Sequence, residues 1–115
     1  MPAHIHAVVR EGHGEAAPAA SDRLVSGSPV STVWNSFSDA AGKFHVGHWS
    51  SEPGVRAVHY DETELCLILT GRVRLAGADG AAEFGPGDAF VIEGGFEGTW
   101  ESIGPVTKLY AILEP

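Results

Sequence analysis

The chain is 115 residues long, 43% hydrophobic and 19% charged, the proportions of one compact domain that buries a core without disulfide or metal staples. Seven Lys and Arg against fifteen Asp and Glu give a formal charge of −8. That sign repels phosphate backbones and anionic headgroups, so neither nucleic acid nor a membrane surface is an expected partner. No apolar run approaches the roughly 20 residues that cross a bilayer, and the N-terminus MPAHIHAVVREG lacks the regions of a signal peptide. With Cys66 as the single cysteine, no internal disulfide or thiolate zinc cluster forms, and the expected location is cytoplasmic.

In chain order, residues 1–30 read as an N-terminal strand and an irregular arm, and residues 31–115 as the folded barrel. Ile5 to Val9 alternates enough to pair with a sheet edge. Glu11 to Pro29 is rich in Ala, Gly, Ser and Pro and reads as irregular. Strand signals then follow closely: Phe44–Ser50, Val55–Tyr60, Glu64–Thr70, Arg72–Ala76, Ala82–Phe84, Ala89–Ile92, Gly98–Ser102 and Thr107–Leu113. Pro53-Gly54 suits a type II turn, Asp79-Gly80 a tight hairpin, and Gly85-Pro86-Gly87-Asp88 a further turn. No window keeps a helical period, so the class is all-β, and strands at this density need two sheets or a barrel.

Glu64 to Gly71, ELCLILTG, spaces a Glu from a Gly as the first cupin motif does. Pro86-Gly87-Asp88 through Gly94-Gly95 follows the second motif. The chain resembles a cupin, and with Gly47-His48-Trp49-Ser50 and Phe96-Glu97-Gly98-Thr99-Trp100 it looks like the small single-domain branch. That branch is related to the ureidoglycine aminohydrolase cupin domain and to the ethanolamine-utilisation Q protein. The resemblance implies a single jelly-roll barrel of the RmlC-like type. It also implies a homodimer, with residues such as Ile5 to Val9 adding a strand to the partner's sheet.

Metal-dependent members of the family place two His and a Glu from the first motif, and a His from the second, around one divalent ion. Carried over by spacing, His59 takes the second His position and Glu64 the Glu, while the other two positions fall on Ala57 and Gly98. Half the ligands are missing, so the expected cofactor is either none or a weakly held divalent metal on His59 and Glu64, completed by His45 or His48. His4 and His6 share a face at the terminus, the usual disposition of exposed strand residues. Cys66, in an apolar strand with no base beside it, reads as a buried small hydrophobe.

The resemblance puts Glu64 inside the barrel, making it the candidate acid or base with His59 as its partner. Tyr60, Phe96 and Trp100 offer aromatic faces for a planar ligand, and Lys108 on the last strand can pair with Glu64 or with a ligand carboxylate. Trp49 serves either that wall or core packing. The expected function is binding of a small polar metabolite inside the barrel, with aminohydrolase-like or isomerase-like catalysis on a degenerate metal site as one form. A non-catalytic binding or accessory module is the other, because the cupin barrel hosts both.

Overall fold

A computed structural model describes residues 2–20 and 23–115. It contains strands only: β1 (Glu15–Pro18), β2 (Leu24–Gly27), β3 (Val30–Ser38), β4 (Phe44–Ser51), β5 (Gly54–His59), β6 (Thr63–Gly77), β7 (Gly80–Phe84), β8 (Ala89–Ile92) and β9 (Glu97–Leu113). Among the described residues no helix is long and apolar enough to cross a membrane. All pairings are antiparallel.

The architecture follows from two long strands that bend. The first half of β6 lies between β8 and the second half of β9, which in turn pairs with β4, then β3, then β1. The second half of β6 lies between β7 and the first half of β9, which pairs with β5 and then β2. One curled ribbon thus supplies two facing layers, the jelly-roll barrel expected for this class. The bend falls where the β6–β9 register shifts, between Ile68 and Arg72. Gly71 stands there at φ 83°, and a Cβ on it would lie 2.2 Å from the Pro105 carbonyl oxygen, so only glycine permits the crossing. Between the layers Ile68, Val73 and Val106 are fully buried, with Ile92 and Trp100 beside them.

Four expectations change. Glu64–Thr70 and Arg72–Ala76 are one strand, as are Gly98–Ser102 and Thr107–Leu113; the intervening glycines bend the strands without ending them. Val30–Ser38, read as no element, is a nine-residue strand whose β-branched residues were outweighed by its Ser and Asn. The stretch read as an irregular arm, Glu11 to Pro29, holds β1 and β2, which extend opposite layers by pairing with β3 and β5; positions 21–22 lie outside the described residues. Their side chains are exposed, so hydropathy gave no sign of them. Ile5 to Val9 forms no strand in the single chain. It runs over the outer face of β3, where His6 meets Phe37 at 4.7 Å, Val9 N donates to Ser36 Oγ, and the Trp34 indole donates to Gly12 O.

Candidate functional site

Strand alternation decides which side chains meet inside. On β6, Glu64, Cys66 and Ile68 point inward and are buried; on β9, Trp100, Ser102, Val106, Lys108 and Tyr110 do the same. The tyrosine that follows β5 is tied at both ends to the turn before β9, its N–H donating to Phe96 O and its carbonyl accepting from Gly95 N. That pairing sets the phase of the strand: Arg56, Val58 and Tyr60 face the interior, and Val55, Ala57 and His59 face out.

At the floor, Lys108 Nζ donates to Glu64 Oε2 at 2.6 Å, with both residues 5% exposed, and lies 3.6 Å from Cys66 Sγ. The ammonium also sits 4.7 Å and 4.4 Å from the ring centroids of Trp49 and Trp100, which meet edge to face at 5.3 Å. The Trp100 indole N–H donates to Ser102 Oγ, which holds the ring in place. The Tyr110 hydroxyl donates to Asn35 Oδ1 at 2.7 Å, over Gly47, where a Cβ would come within 2.6 Å of the phenolic oxygen. These residues enclose a cavity of about 250 Å³, with Val33, Arg56, Val58, Tyr60 and Ile112 completing the wall.

Burial acts most strongly on Lys108 and pulls its pKa down, but the Glu64 carboxylate beside it, together with Cys66 and Tyr60, outweighs this and the ammonium is held above its ordinary value. Burial raises both Tyr60 and Tyr110 and pushes the Cys66 thiol up to about 12. At neutral pH the phenols and thiol are therefore uncharged, and the charge in the cavity comes from Lys108, Glu64 and Arg56.

The divalent site expected on His59 and Glu64 does not assemble. His59 is exposed on the outer face, its two ring nitrogens 3.1 Å from Asp61 Oδ1 and 3.0 Å from Glu97 Oε1, hydrogen bonds that raise its pKa. His45 bonds Ser38 Oγ and Gly42 O at the β3–β4 turn. His48, adjacent to Trp49 and so on the opposite face, is buried and feels the charge of Arg10. The remaining family position, Gly98, has no room for a side chain, since a Cβ there would lie 2.0 Å from Ala76 O. In place of a metal ion, Glu64 faces a lysine ammonium. Among the described residues no group of His, Cys, Asp and Glu is placed to hold a metal, and the residues around Glu64 do not fit one.

Tyr60, Trp100, Lys108 and Glu64 thus line one cavity, and His59 does not. Phe96 lies behind Tyr60, 6.4 Å between centroids, and lines a separate open groove of about 660 Å³ between the β6–β7 hairpin and the turn before β9. The acids of that groove, Asp79 and Glu93, are solvent-exposed, and no buried charge faces it. The sequence reading missed Arg56, whose inward position depends on the phase of β5; the alternation Arg56, Val58, Tyr60 was its only signal.

A model of the EutQ-like cupin domain family matches residues 38–110. Among solved structures, the chain is similar to a protein of unknown function of the DUF861 family from Pseudomonas syringae pv. tomato, at 28% identity and a TM-score of 0.81. That match covers 91% of this chain, which spans 46% of the other. A Thermotoga maritima DUF861 protein is 31% identical over 55% of this chain and 73% of its own, with a TM-score of 0.53. The Clostridium difficile EutQ protein matches at 15% identity and a TM-score of 0.68, over 82% of this chain and 77% of its own, a likeness of fold. No curated protein matches. The family match spans both motifs and the strands that carry Glu64, Trp100 and Lys108, so the chain belongs to the EutQ-like cupin domain family.

Proposed function

We propose that this cupin binds a small polar molecule in the cavity above the Lys108–Glu64 pair, whose wall includes Trp49 and Trp100. The observation that carries this reading is the buried pair itself. Two charges taken out of water cost several kcal/mol each, and hydrophobic residues of similar volume often do as well or better for stability. A pair placed beside an open volume of about 250 Å³, rather than packed against side chains on every side, supplies polar groups to something that enters. That volume is worth about eight waters of liquid, a metabolite of modest size.

Aminohydrolase-like or isomerase-like turnover is the second reading, favoured by the contact of Lys108 Nζ with both Glu64 Oε2 and Cys66 Sγ. In that case Glu64 accepts a proton from the ligand while Lys108 stabilises the anion left behind.

Binding is read from the emission of Trp49 and Trp100 in a Trp34→Phe chain, titrated with a panel of small polar metabolites. A saturable change is expected, and it should vanish in the Glu64→Leu/Lys108→Met double variant. Binding that survives in a folded double variant refutes the cavity reading. Turnover lost in Glu64→Gln with binding retained supports catalysis.

A further inference from the structure

We infer that the molecule taken into this cavity carries a carboxylate, and that Arg56 is the residue that selects it. The inference rests on the cavity reading and names the chemistry of its ligand.

Lys108 is neutralised by Glu64, so the charge left over in the cavity wall is the guanidinium of Arg56. Within a chain of net charge −8, this enclosed region carries two cations against one carboxylate. Arg56 forms no ion pair among the described residues. Its Nη2 donates to Pro29 O at 3.0 Å, and its Cζ lies 5.7 Å from the Trp49 ring centroid. Its Nε is buried and has no hydrogen-bond partner among the described residues. A guanidinium offers five N–H donors in a planar fork that matches a carboxylate edge, and here part of that fork is held by Pro29 while part is unused. Burial draws its pKa down, the sign of a cation short of solvent and of counter-charge.

Position supports the same conclusion. Arg56, Val58, Tyr60, Glu64 and Ile112 line both the cavity and a more open vestibule beside it, bounded further out by Ala17 to Ala20, Arg23 and Glu62. Arg56 therefore stands where a ligand passes from one to the other. The rim of that vestibule carries one further acid, Glu62, and one further cation, Arg23. One unbalanced cation favours a monoanion over a phosphate dianion.

The test uses matched acids and amides as probes: formate with formamide, acetate with acetamide, and benzoate with benzamide, with inorganic phosphate as a further arm. Each is titrated against the Trp34→Phe chain and its Arg56→Gln and Arg56→Lys derivatives, whose folding is checked by thermal melting. At least one carboxylate should bind about tenfold or more tightly than its amide. The ratio should fall to about one in Arg56→Gln and survive in part in Arg56→Lys. Equal binding of acid and amide, an acid preference that persists in Arg56→Gln, or tighter binding of phosphate overturns the inference while leaving the cavity reading in place. Failure of every acid to bind the parent chain also overturns it. Should Arg56→Gln fail to fold, the acid-to-amide ratio of the parent chain decides. The cavity reading fails separately, if both members of a pair bind the folded Glu64→Leu/Lys108→Met variant as they bind the parent.

Discussion

At the scale of single residues, the Lys108–Glu64 pair makes the strongest demand on the fold. Removing one partner strands a charge in a site where both residues are 5% exposed, so Glu64→Leu should lose about 3–5 kcal/mol of stability. Replacing both, in Glu64→Leu/Lys108→Met, should recover most of it; chemical denaturation of the three chains checks the non-additivity. Cys66, fully buried with its thiol pushed up to about 12, should resist iodoacetamide at pH 8 in the native protein and react once unfolded. Gly98→Ala presses a methyl group into the Ala76 carbonyl and should cost about 1–3 kcal/mol, read as a lower melting temperature. The resemblance to the first cupin motif put Glu64 inside, and left Lys108 of the last strand to pair either with it or with a ligand carboxylate. The placement of His59 was not legible in the sequence, because the turn after β5, tied to Gly95 and Phe96, sets which residues of that strand face in.

At the scale of elements, the N-terminal arm and β4 are coupled through charge at His48. His48 is buried and its Nδ1 has no partner among the described residues; burial first, and then Arg10 of the arm, hold its pKa below the ordinary imidazole value. Its register neighbours, Trp34 on β3 and Leu109 on β9, carry no charge. A lowered pKa means that the unfolded chain takes up the proton first. The contribution of His48 is therefore present above about pH 6.5 and is lost as pH falls toward the lower folded value. His59 has the opposite sign: its raised pKa adds stability below about pH 6.5 that disappears as pH rises through the folded value. In a His59→Gln background, stability should fall between pH 7 and 5, and adding His48→Leu should flatten that dependence, as followed by urea denaturation. The arm was legible only as a loose segment, because β1 and β2 gain their place from backbone pairing and not from buried side chains.

At the scale of the whole molecule, the curled ribbon leaves one outer face apolar. Leu65 and Val91 stand opposite each other across β6 and β8, at 44% and 60% exposure, with Leu113 at 57% near the same sheet. The resemblance implied a homodimer joined through Ile5 to Val9; we propose that a homodimer uses this apolar face instead. Sedimentation equilibrium should then give twice the chain mass, and Val91→Lys should shift it toward the monomer without lowering the melting temperature of the isolated barrel. A single-chain mass for the parent at tens of micromolar would refute the dimer.

The sequence by itself determined the all-β class, the two cupin motifs and the inward position of Glu64. The all-β class follows from turn chemistry and period-two patterning, which act over a few residues at a time, and the inward position of Glu64 is what the resemblance to the first cupin motif implies. Only the tertiary structure decided that a lysine from the last strand, forty-four positions away, faces that glutamate where a metal would otherwise stand. It also decided that Arg56 joins them and His59 does not. Those outcomes depend on the register and phase of strands distant in the chain. A one-residue change in phase exchanges the inner and outer faces of a strand and leaves its composition unaltered.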